Sequence, residues 1–448
     1  MPGRRRRKSR CSRKPGNNAI CSLTARVAPF LLRQVRSRFV CSVRPAEGKH
    51  RVNSFTCQLV FDILSACSIG EGWFCVKRIG VGIIGWGFMG KTHAHGLREM
   101  PLFYPGAAFR AEIVSVCSRR IGAAKEAAEL LGAAHFTDDY RELLARDDVD
   151  VVSVCTPNEM HEEMVLAAIA AGKDIYLDKP VASSYASALR MADAADRAGT
   201  LCQVVLNNRF FPATMRAKQL MDEGRIGEIT GFRFRYLHSG SLQADRPVGW
   251  KQLSGAGVLH DLGSHALDLM TWLCGQPESV SCHLRTLYEN RPTPGGGVTD
   301  QLGDDHALMV LTLPSGAVGT VEASKIWTGS DDELAFEIAG TEGALRFDAM
   351  NPNYLEFFDQ RRPDGAYGGE RGYVKIACVA HYDRPAGQFL PPKNTIGWDR
   401  AHMHCYYRFL DAVAKGDSPN PSLRDGANLQ RLMEACAVSH REGRQVAL

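Results

Sequence analysis

Three polar residues are of the types and spacing that acid–base chemistry requires. Asp261 and His265 are four residues apart, so in a helix they share one face and can reach one ligand. A histidine, with an unperturbed pKa of about 6.5, can accept a proton near neutrality, and an acid beside it can orient the imidazole and stabilise its charged form. Lys179 could donate a hydrogen bond to a reacting oxygen and stabilise negative charge there.

Each of these residues also has a purely structural interpretation. A buried lysine is often part of a structural ion pair, and an Asp–His pair on a helix is usually at the surface. Pro180 disfavours the helical region for Lys179 and so helps to hold it at the end of the strand "DIYL". The C-terminal ends of parallel strands are where α/β folds place ligands. The choice therefore depends on the elements that surround these residues.

The clearest of those elements is a glycine turn after the apolar run "RIGVGIIGWG", which predicts a buried parallel strand. Gly85, Gly87 and Gly90 have G-x-G-x-x-G spacing, and a helical pattern follows. Gly85 allows a tight turn, Gly87 lets the backbone approach a pyrophosphate, and Gly90 lets the helix pack close to the strand. Phe88 and Met89 then lie at the helix N-terminus, where free N–H groups face the phosphates. A glycine-rich structural turn is the alternative.

The end of the next strand, "AEIVSVC", bears on which dinucleotide would bind. An acid there would hold the ribose 2′-hydroxyl and favour NAD. The chain instead reads Ser118-Arg119-Arg120, and two guanidiniums suit a 2′-phosphate. We therefore expect NADP or NAD, with NADP preferred. The alternative is that both arginines are solvated surface charges.

Charge is distributed unevenly along the chain. Residues 1–75 contain fifteen Lys and Arg against three acids, whereas the remainder contains 39 bases and 46 acids. A mildly acidic body argues against a nucleic-acid groove. The apolar runs are too short for a spanning helix. The fourteen cysteines include no CxxC pair, so reduced, core-packed cysteines and a cytoplasmic location are expected, with no metal.

The basic leader, 1–75, has three interpretations. It is Arg- and Ser-rich and acid-poor, as a transit peptide is, and it could also be a functional basic arm. The favoured interpretation is an upstream mis-assigned start, with Val76 at the natural beginning. On each of them the chemistry starts at residue 76. We expect 1–75 to be disordered, 76–200 to form the dinucleotide-binding domain, and 201–448 to form a substrate-binding and oligomerisation domain.

Several ordered motifs resemble one protein family. "TPNEMH", "LDKPVA" and "GAGVLHDLGSHALDLMTWL", together with the glycine turn, resemble the Gfo/Idh/MocA family of NAD(P)-dependent sugar and polyol oxidoreductases. The resemblance runs from residue 76 to the C-terminus and includes "FEIAGTEGALRF" and "HREGRQVAL". Within the family, "GFMGKTH", "MPLFYP" and "GAVGTVEAS" are most similar to the levoglucosan dehydrogenase group.

The resemblance implies roles for individual residues. Lys179 matches the lysine of the family's E-K-P motif, with Asp178 in place of the usual Glu, which shortens the reach of that carboxylate by a methylene. Asp261 and His265 match the D-x-x-x-H pair, so the catalytic set would be Lys179, Asp261 and His265. The cofactor would also contact Asp178 and the loop residues Thr156, Pro157, Asn158 and His161. The substrate would contact the catalytic set, together with Asn208 and Arg209, and Trp250 could stack on a sugar face or belong to the core.

The second half of the chain has a different pattern. "TGFRFRYLH" alternates as a strand does, and "HALMVLTLPSGAVGTVEAS" and "LAFEIAGTEGALRFD" predict hairpins. We expect an N-terminal Rossmann doubly wound parallel sheet and a C-terminal α+β domain with an open, mainly antiparallel sheet. A 261–274 helix would cover one face of that sheet. The other face would pack against a second subunit, giving a homodimer or homotetramer.

The expected function is hydride transfer between NAD(P) and a secondary hydroxyl or ketone of a cyclic sugar or polyol. Two alternatives stay open. Some members of the family are glycoside hydrolases that use bound NAD in a transient redox step. The second alternative is a non-catalytic NADP-binding regulator, and the complete acid–base set argues against it. Neither a nucleic acid nor a membrane is expected as a partner.

Overall fold

The computed structural model describes residues 76–249, 257–300 and 302–448. The predictions for residues 1–75, and the prediction that Trp250 contacts the substrate, lie outside the described residues.

A parallel six-stranded sheet forms the first half of the described chain. Its strands are β1 (Lys77–Ile84), β2 (Phe109–Cys117), β3 (His135–Thr137), β4 (Val151–Val154), β5 (Asp174–Leu177) and β6 (Cys202–Val204). They are ordered β3-β2-β1-β4-β5-β6, and each neighbouring pair is parallel. The strand order reverses between β1 and β4, which opens a crevice at their C-terminal ends.

Helices connect these strands, as a Rossmann fold requires. They are α1 (Phe88–Phe103), α2 (Ile121–Leu131), α3 (Tyr140–Leu144), α4 (His161–Ala170) and α5 (Tyr185–Ala198). The chain specifies several of their ends locally. Ser184 caps α5 by accepting a hydrogen bond from the N–H of Ser187, and Gly199, at φ 67°, ends the helix in the left-handed conformation.

A nine-stranded mixed sheet follows α6 (Pro212–Asp222). Its strands are β7 (Ile229–Leu237), β8 (Ser279–Arg285), β11 (His306–Thr312), β12 (Val318–Ser324), β13 (Glu333–Gly340), β14 (Gly343–Asp348), β15 (Tyr354–Asp359), β16 (Tyr373–Ala377) and β17 (Val446–Ala447). A short pair, β9 (Arg291–Pro292) and β10 (Val298–Thr299), stands apart. The β11–β12 and β13–β14 hairpins are antiparallel, as predicted, and β7 pairs with β12 in parallel.

Three further helices complete the described chain: α7 (Ser264–Cys274), α8 (Trp398–Lys415) and α9 (Leu423–Glu442). Helix α7 packs on β7 and β12, and every residue of β11 with its side chain on that face is buried. The predicted fold class is therefore confirmed. No helix within the described ranges is both long enough and apolar enough to span a membrane.

The last two helices return to the parallel sheet. Helix α8 packs against α1, and its Tyr406 stacks on Tyr176 of β5 with ring centroids 4.0 Å apart. Helix α9 packs against α5. The C-terminal segment thus helps to enclose the core of the first half. The eight cysteines of the described chain are unpaired, and six of them are buried.

The face of the mixed sheet opposite α7 exposes apolar side chains. Leu308, Val310 and Val318 are 37%, 39% and 51% exposed in the single chain. Such a patch is the feature on which the oligomer prediction rests. The oligomeric state stays a prediction.

A buried ion pair joins α7 to the segment after β6. Arg209 donates from Nε and Nη2 to the Asp268 carboxylate at 2.9 and 2.5 Å, and from Nη1 to Asn420 Oδ1 at 3.0 Å. The two charged side chains are 8% and 3% exposed. A pair this dry contributes little net stability, but removing one partner leaves an unpaired charge in the core.

We predict that Asp268→Asn lowers the free energy of unfolding by about 3–5 kcal/mol, because Arg209 then stays buried without its counter-ion. Urea unfolding of the full chain, followed by circular dichroism, measures the change. Asp222→Asn is the control, because the Asp222 side chain is exposed and its i,i+4 pair with Lys218 on a helix contributes about 0.3–0.5 kcal/mol. Equal effects of the two substitutions would contradict the prediction.

Candidate active site

A cleft of about 1010 Å³ lies at the C-terminal ends of β1, β2, β4 and β5. Residues that follow those strands form one wall, and residues from β7, α7 and α8 form the other. The lining includes thirteen of the residues predicted from the sequence: Gly85, Gly87, Phe88, Met89, Ser118, Arg119, Arg120, Thr156, Pro157, Asp178, Lys179, Asp261 and His265. The cleft therefore brings together the glycine turn and the three acid–base residues.

Two glycines of the turn have no room for a side chain, and the third faces open space that a ligand could fill. Gly85 has φ 104°, and a Cβ atom on it would be 2.7 Å from the carbonyl oxygen of Cys155. A Cβ on Gly90 would be 2.0 Å from the carbonyl oxygen of Gly85. A Cβ on Gly87 would meet no protein atom within 4 Å. The turn thus fits a dinucleotide whose pyrophosphate lies against Gly87 and the N-terminus of α1.

The residues after β2 form the far end of the same cleft. Ser118 is half-buried, and Arg119 and Arg120 are exposed. Asp138 and Tyr140, from the segment after β3, line the cleft beside them. Sequence analysis found the two cations but not Asp138, which lies in a short connection without a motif.

The loop after β4 contributes only in part. Thr156 and Pro157 line the cleft, whereas Asn158 and His161 are buried behind it. The His161 ring lies with Nε2 2.9 Å from the Thr156 carbonyl oxygen and Nδ1 3.1 Å from that of Val181. Burial lowers the pKa of His161. His161 therefore ties together the loops after β4 and β5, and no atom of it forms the cleft wall.

Asp261 lies between two lysines. Lys179 Nζ is 2.9 Å from Asp261 Oδ1 and 2.6 Å from its carbonyl oxygen, and Lys325 Nζ is 2.8 Å from Oδ2. The three side chains are 10–14% exposed. Both carboxylate oxygens thus accept from an ammonium group, which favours the ionised form of the carboxyl.

The chain around Asp261 departs from a regular helix. Residues Leu259–Gly263 form one π-helical turn that runs into α7, so Asp261 precedes the helix while His265 lies in its first turn. The N–H of Leu259 donates to Asp304 Oδ2 at 2.8 Å, which fixes the start of the turn. Asp261 and His265 both reach the cleft, as the predicted spacing requires, and π turns often occur at functional sites.

The sequence prediction for the substrate end was incomplete. Asn207 lines the cleft, whereas Asn208 and Arg209 are not part of its lining, and Arg209 pairs with Asp268. The cleft also contains side chains that sequence analysis did not identify: Tyr236, His238, Asp332, Trp398 and His402. The sequence gives only a weak indication of these residues: most of them lie at or next to the end of a helix or strand, and they share no motif. Within the described residues, no group of three or more His, Cys, Asp or Glu could hold a metal ion.

Comparison with known proteins identifies the family. Residues 79–206 match the model of the oxidoreductase family with an NAD-binding Rossmann fold, and residues 214–346 match the Gfo/Idh/MocA C-terminal domain. Levoglucosan dehydrogenase of Pseudarthrobacter phenanthrenivorans is 31% identical over 383 residues, which cover 81% of this chain and 96% of that protein. The scyllo-inositol 2-dehydrogenase (NAD(+)) of Bacillus subtilis is 32% identical over 265 residues, which cover 59% of this chain and 72% of that one.

A solved structure agrees with these matches. Levoglucosan dehydrogenase in complex with NADH and L-sorbose superposes with a TM-score of 0.79 at 31% identity, covering 83% of this chain and 99% of that one. The resemblance drawn from the glycine turn and the later motifs, including the likeness to the levoglucosan dehydrogenase group, is confirmed. The chain carries an NAD-binding Rossmann fold and belongs to the Gfo/Idh/MocA family of oxidoreductases.

Proposed function

We propose that this protein is an NAD(P)-dependent dehydrogenase that oxidises a secondary hydroxyl of a cyclic sugar or polyol, or reduces the corresponding ketone. The observation that carries the proposal is that Lys179, Asp261 and His265 line the same cleft as the glycine turn. The named relatives act on sugars and on an inositol, which supports this substrate class.

The nicotinamide, when bound, supplies a two-electron acceptor for the hydride of the carbinol carbon. The Lys179 ammonium, fixed by Asp261, donates to the substrate oxygen and stabilises negative charge there. His265, at the cleft wall, accepts the hydroxyl proton. The alcohol thus loses one proton and one hydride to become the ketone, and reduction reverses both transfers. Asp261 orients Lys179, whose ammonium group donates to its Oδ1 and to its carbonyl oxygen.

We predict that the full chain produces NADH or NADPH, seen at 340 nm, with at least one member of a panel of inositols, aldoses and anhydrosugars. Lys179→Met should lower kcat/KM by about 10²- to 10³-fold, because it removes a donor to the reacting oxygen. Lys125→Met, at an exposed position of α2, is the control and should leave the rate unchanged.

Two outcomes would oppose this prediction. Full activity in Lys179→Met would remove Lys179 from the mechanism. Absence of NAD(P)H with every sugar, while cofactor stays bound to the purified protein, would instead favour a hydrolase that uses the cofactor transiently.

The glycine turn gives a second prediction. Gly87→Ala should weaken NADH binding without lowering the unfolding temperature, because its Cβ points into space that only the ligand would fill. Gly90→Ala should lower the unfolding temperature of the cofactor-free protein, because its Cβ would overlap the Gly85 carbonyl. Fluorescence titration with NADH and thermal unfolding measure the two effects. Equal behaviour of the variants would contradict the assignment.

For the cofactor we propose a preference for NADP, based on the arginines at the end of β2. The NAD named for the inositol dehydrogenase and the NADH of the solved complex argue for the alternative. Arg119→Ala and Arg120→Ala should each weaken NADP⁺ binding about tenfold or more and leave NAD⁺ binding nearly unchanged, because a charge-assisted hydrogen bond contributes about 1.5–3 kcal/mol. Calorimetric titration measures both affinities.

Arg110→Ala is the matched control for this prediction. Arg110 is exposed at the opposite end of β2, where it pairs with Glu112, so its loss should change neither affinity. Tighter binding of NAD⁺ than of NADP⁺ by the unchanged protein would overturn the preference.

A further inference from the structure

The second lysine on Asp261 has no counterpart among the motifs that identify the family in this sequence. Lys325 directly follows β12, and its backbone is fixed on both sides. Its N–H donates to the Asp305 carbonyl at 2.8 Å, and its own carbonyl accepts from the N–H of Ser241 at 2.8 Å. The side chain is 10% exposed and ends 2.8 Å from Asp261 Oδ2. The fold thus delivers a buried cation to the side of Asp261 opposite Lys179.

We propose that Lys325 is a positioning residue of the dehydrogenase, which sets both the orientation and the charge balance of Lys179, Asp261 and His265. The inference rests on the proposed function above. Lys325 acts through Asp261, since it contacts that carboxylate and is absent from the lining of the cleft.

The orientation follows from the hydrogen bonds. A carboxylate held by Lys179 alone could rotate and present either oxygen to it. With Lys325 on Oδ2, Oδ1 is left for Lys179, and the Lys179 ammonium is held beside the cleft. Even when paired, buried charges contribute little net stability, so this arrangement is more readily explained by catalysis than by stability.

The charge balance follows from counting charges. Lys179 and Asp261 carry opposite charges, and Lys325 adds one positive charge on the other side of the carboxylate. A neighbouring positive charge makes a cationic acid easier to deprotonate, and effects of about one pH unit or more are common within ~4–6 Å. We therefore expect Lys325, through its ion pair with Asp261, to make His265 in the same cleft able to accept a proton at lower pH.

Other titratable groups face this cluster and belong to the same balance. They are Asp178 beside Lys179, His260 in the π turn, Tyr236 and His238 at the end of β7, Asp304 and Asp305 before β11, Asp332 before β13, and His402 of α8. Burial raises the pKa of Asp304, and Lys325 is among the charges that oppose the rise. Burial also raises the pKa of Tyr236, and the Asp332 and Asp261 carboxylates add to that rise. The test is therefore made at Lys325 itself, because substitution there removes both the charge and the contact with Asp261.

The test is the pH dependence of kcat/KM for the full chain with the sugar identified by the 340 nm assay. Lys325→Met keeps the side-chain stem and removes the charge, so the acidic limb should move up by about one pH unit. Lys325→Arg restores the charge and the donors, so the limb should return toward the wild-type position. If Lys325→Met does not fold, Lys325→Gln carries the same expectation.

If Lys325 has a purely structural role, the pH dependence of kcat/KM should differ from this expectation. Activity would then fall by the same factor at every pH, the limb would stay in place in both variants, and the proposal would be overturned. NADH affinity, measured by fluorescence, should be unchanged in Lys325→Met, because Lys325 is not among the residues that line the cleft.

A second readout separates this inference from the proposed function. The imidazole Cε1–H resonance of His265, assigned by its loss in His265→Gln, should titrate at higher pH in Lys325→Met than in the wild type. That shift, in a protein that oxidises no sugar, would leave Lys325 supported and the proposed function rejected. A wild-type enzyme with sugar activity and no shift in either readout would reject Lys325 alone.

Discussion

The ion pairs of Asp261 join the two halves of this molecule at the point where chemistry would occur. Lys179 comes from the end of a strand in the parallel sheet, Asp261 from the π turn before α7, and Lys325 from the end of a strand in the mixed sheet. Each lysine has its ammonium group within 3 Å of that carboxylate. The relative placement of the two sheets is therefore coupled to the geometry of the acid–base set.

A second buried ion pair, between Arg209 and Asp268, holds the helix that follows Asp261. Arg209 and Asp268 link the segment after β6 to α7, seven residues beyond Asp261. Because the pair is almost completely dry, movement of α7 away from the parallel sheet would expose or unpair a charge. The helix that carries His265 is thus fixed both at its start and in its middle. Such fixation matches the precise positioning that proton and hydride transfer need.

The features that the sequence predicted depend on neighbouring residues. The G-x-G-x-x-G turn, the hairpin around Pro314–Gly316 and the spacing of Asp261 and His265 each follow from residues a few positions apart. Partners separated by tens of residues were beyond that reasoning. Lys325, at the end of β12, and Asp261 are 64 residues apart in the sequence, and the His161 ring lies between two backbone carbonyl oxygens, one of them 20 residues away.

The two ends of the cleft obey different physical constraints, which explains why one was easier to predict. At the dinucleotide end the requirement is the absence of a side chain, so a Cβ on Gly85 or Gly90 would overlap backbone atoms, and glycine is the residue that fits. At the chemical end the requirement is a balance of charges, which lysine, arginine, aspartate and histidine can satisfy in several arrangements. A constraint on backbone space leaves a fixed residue type in the sequence. A constraint on charge can be met by different residues at distant positions, so the residues that meet it are identified only in the folded structure.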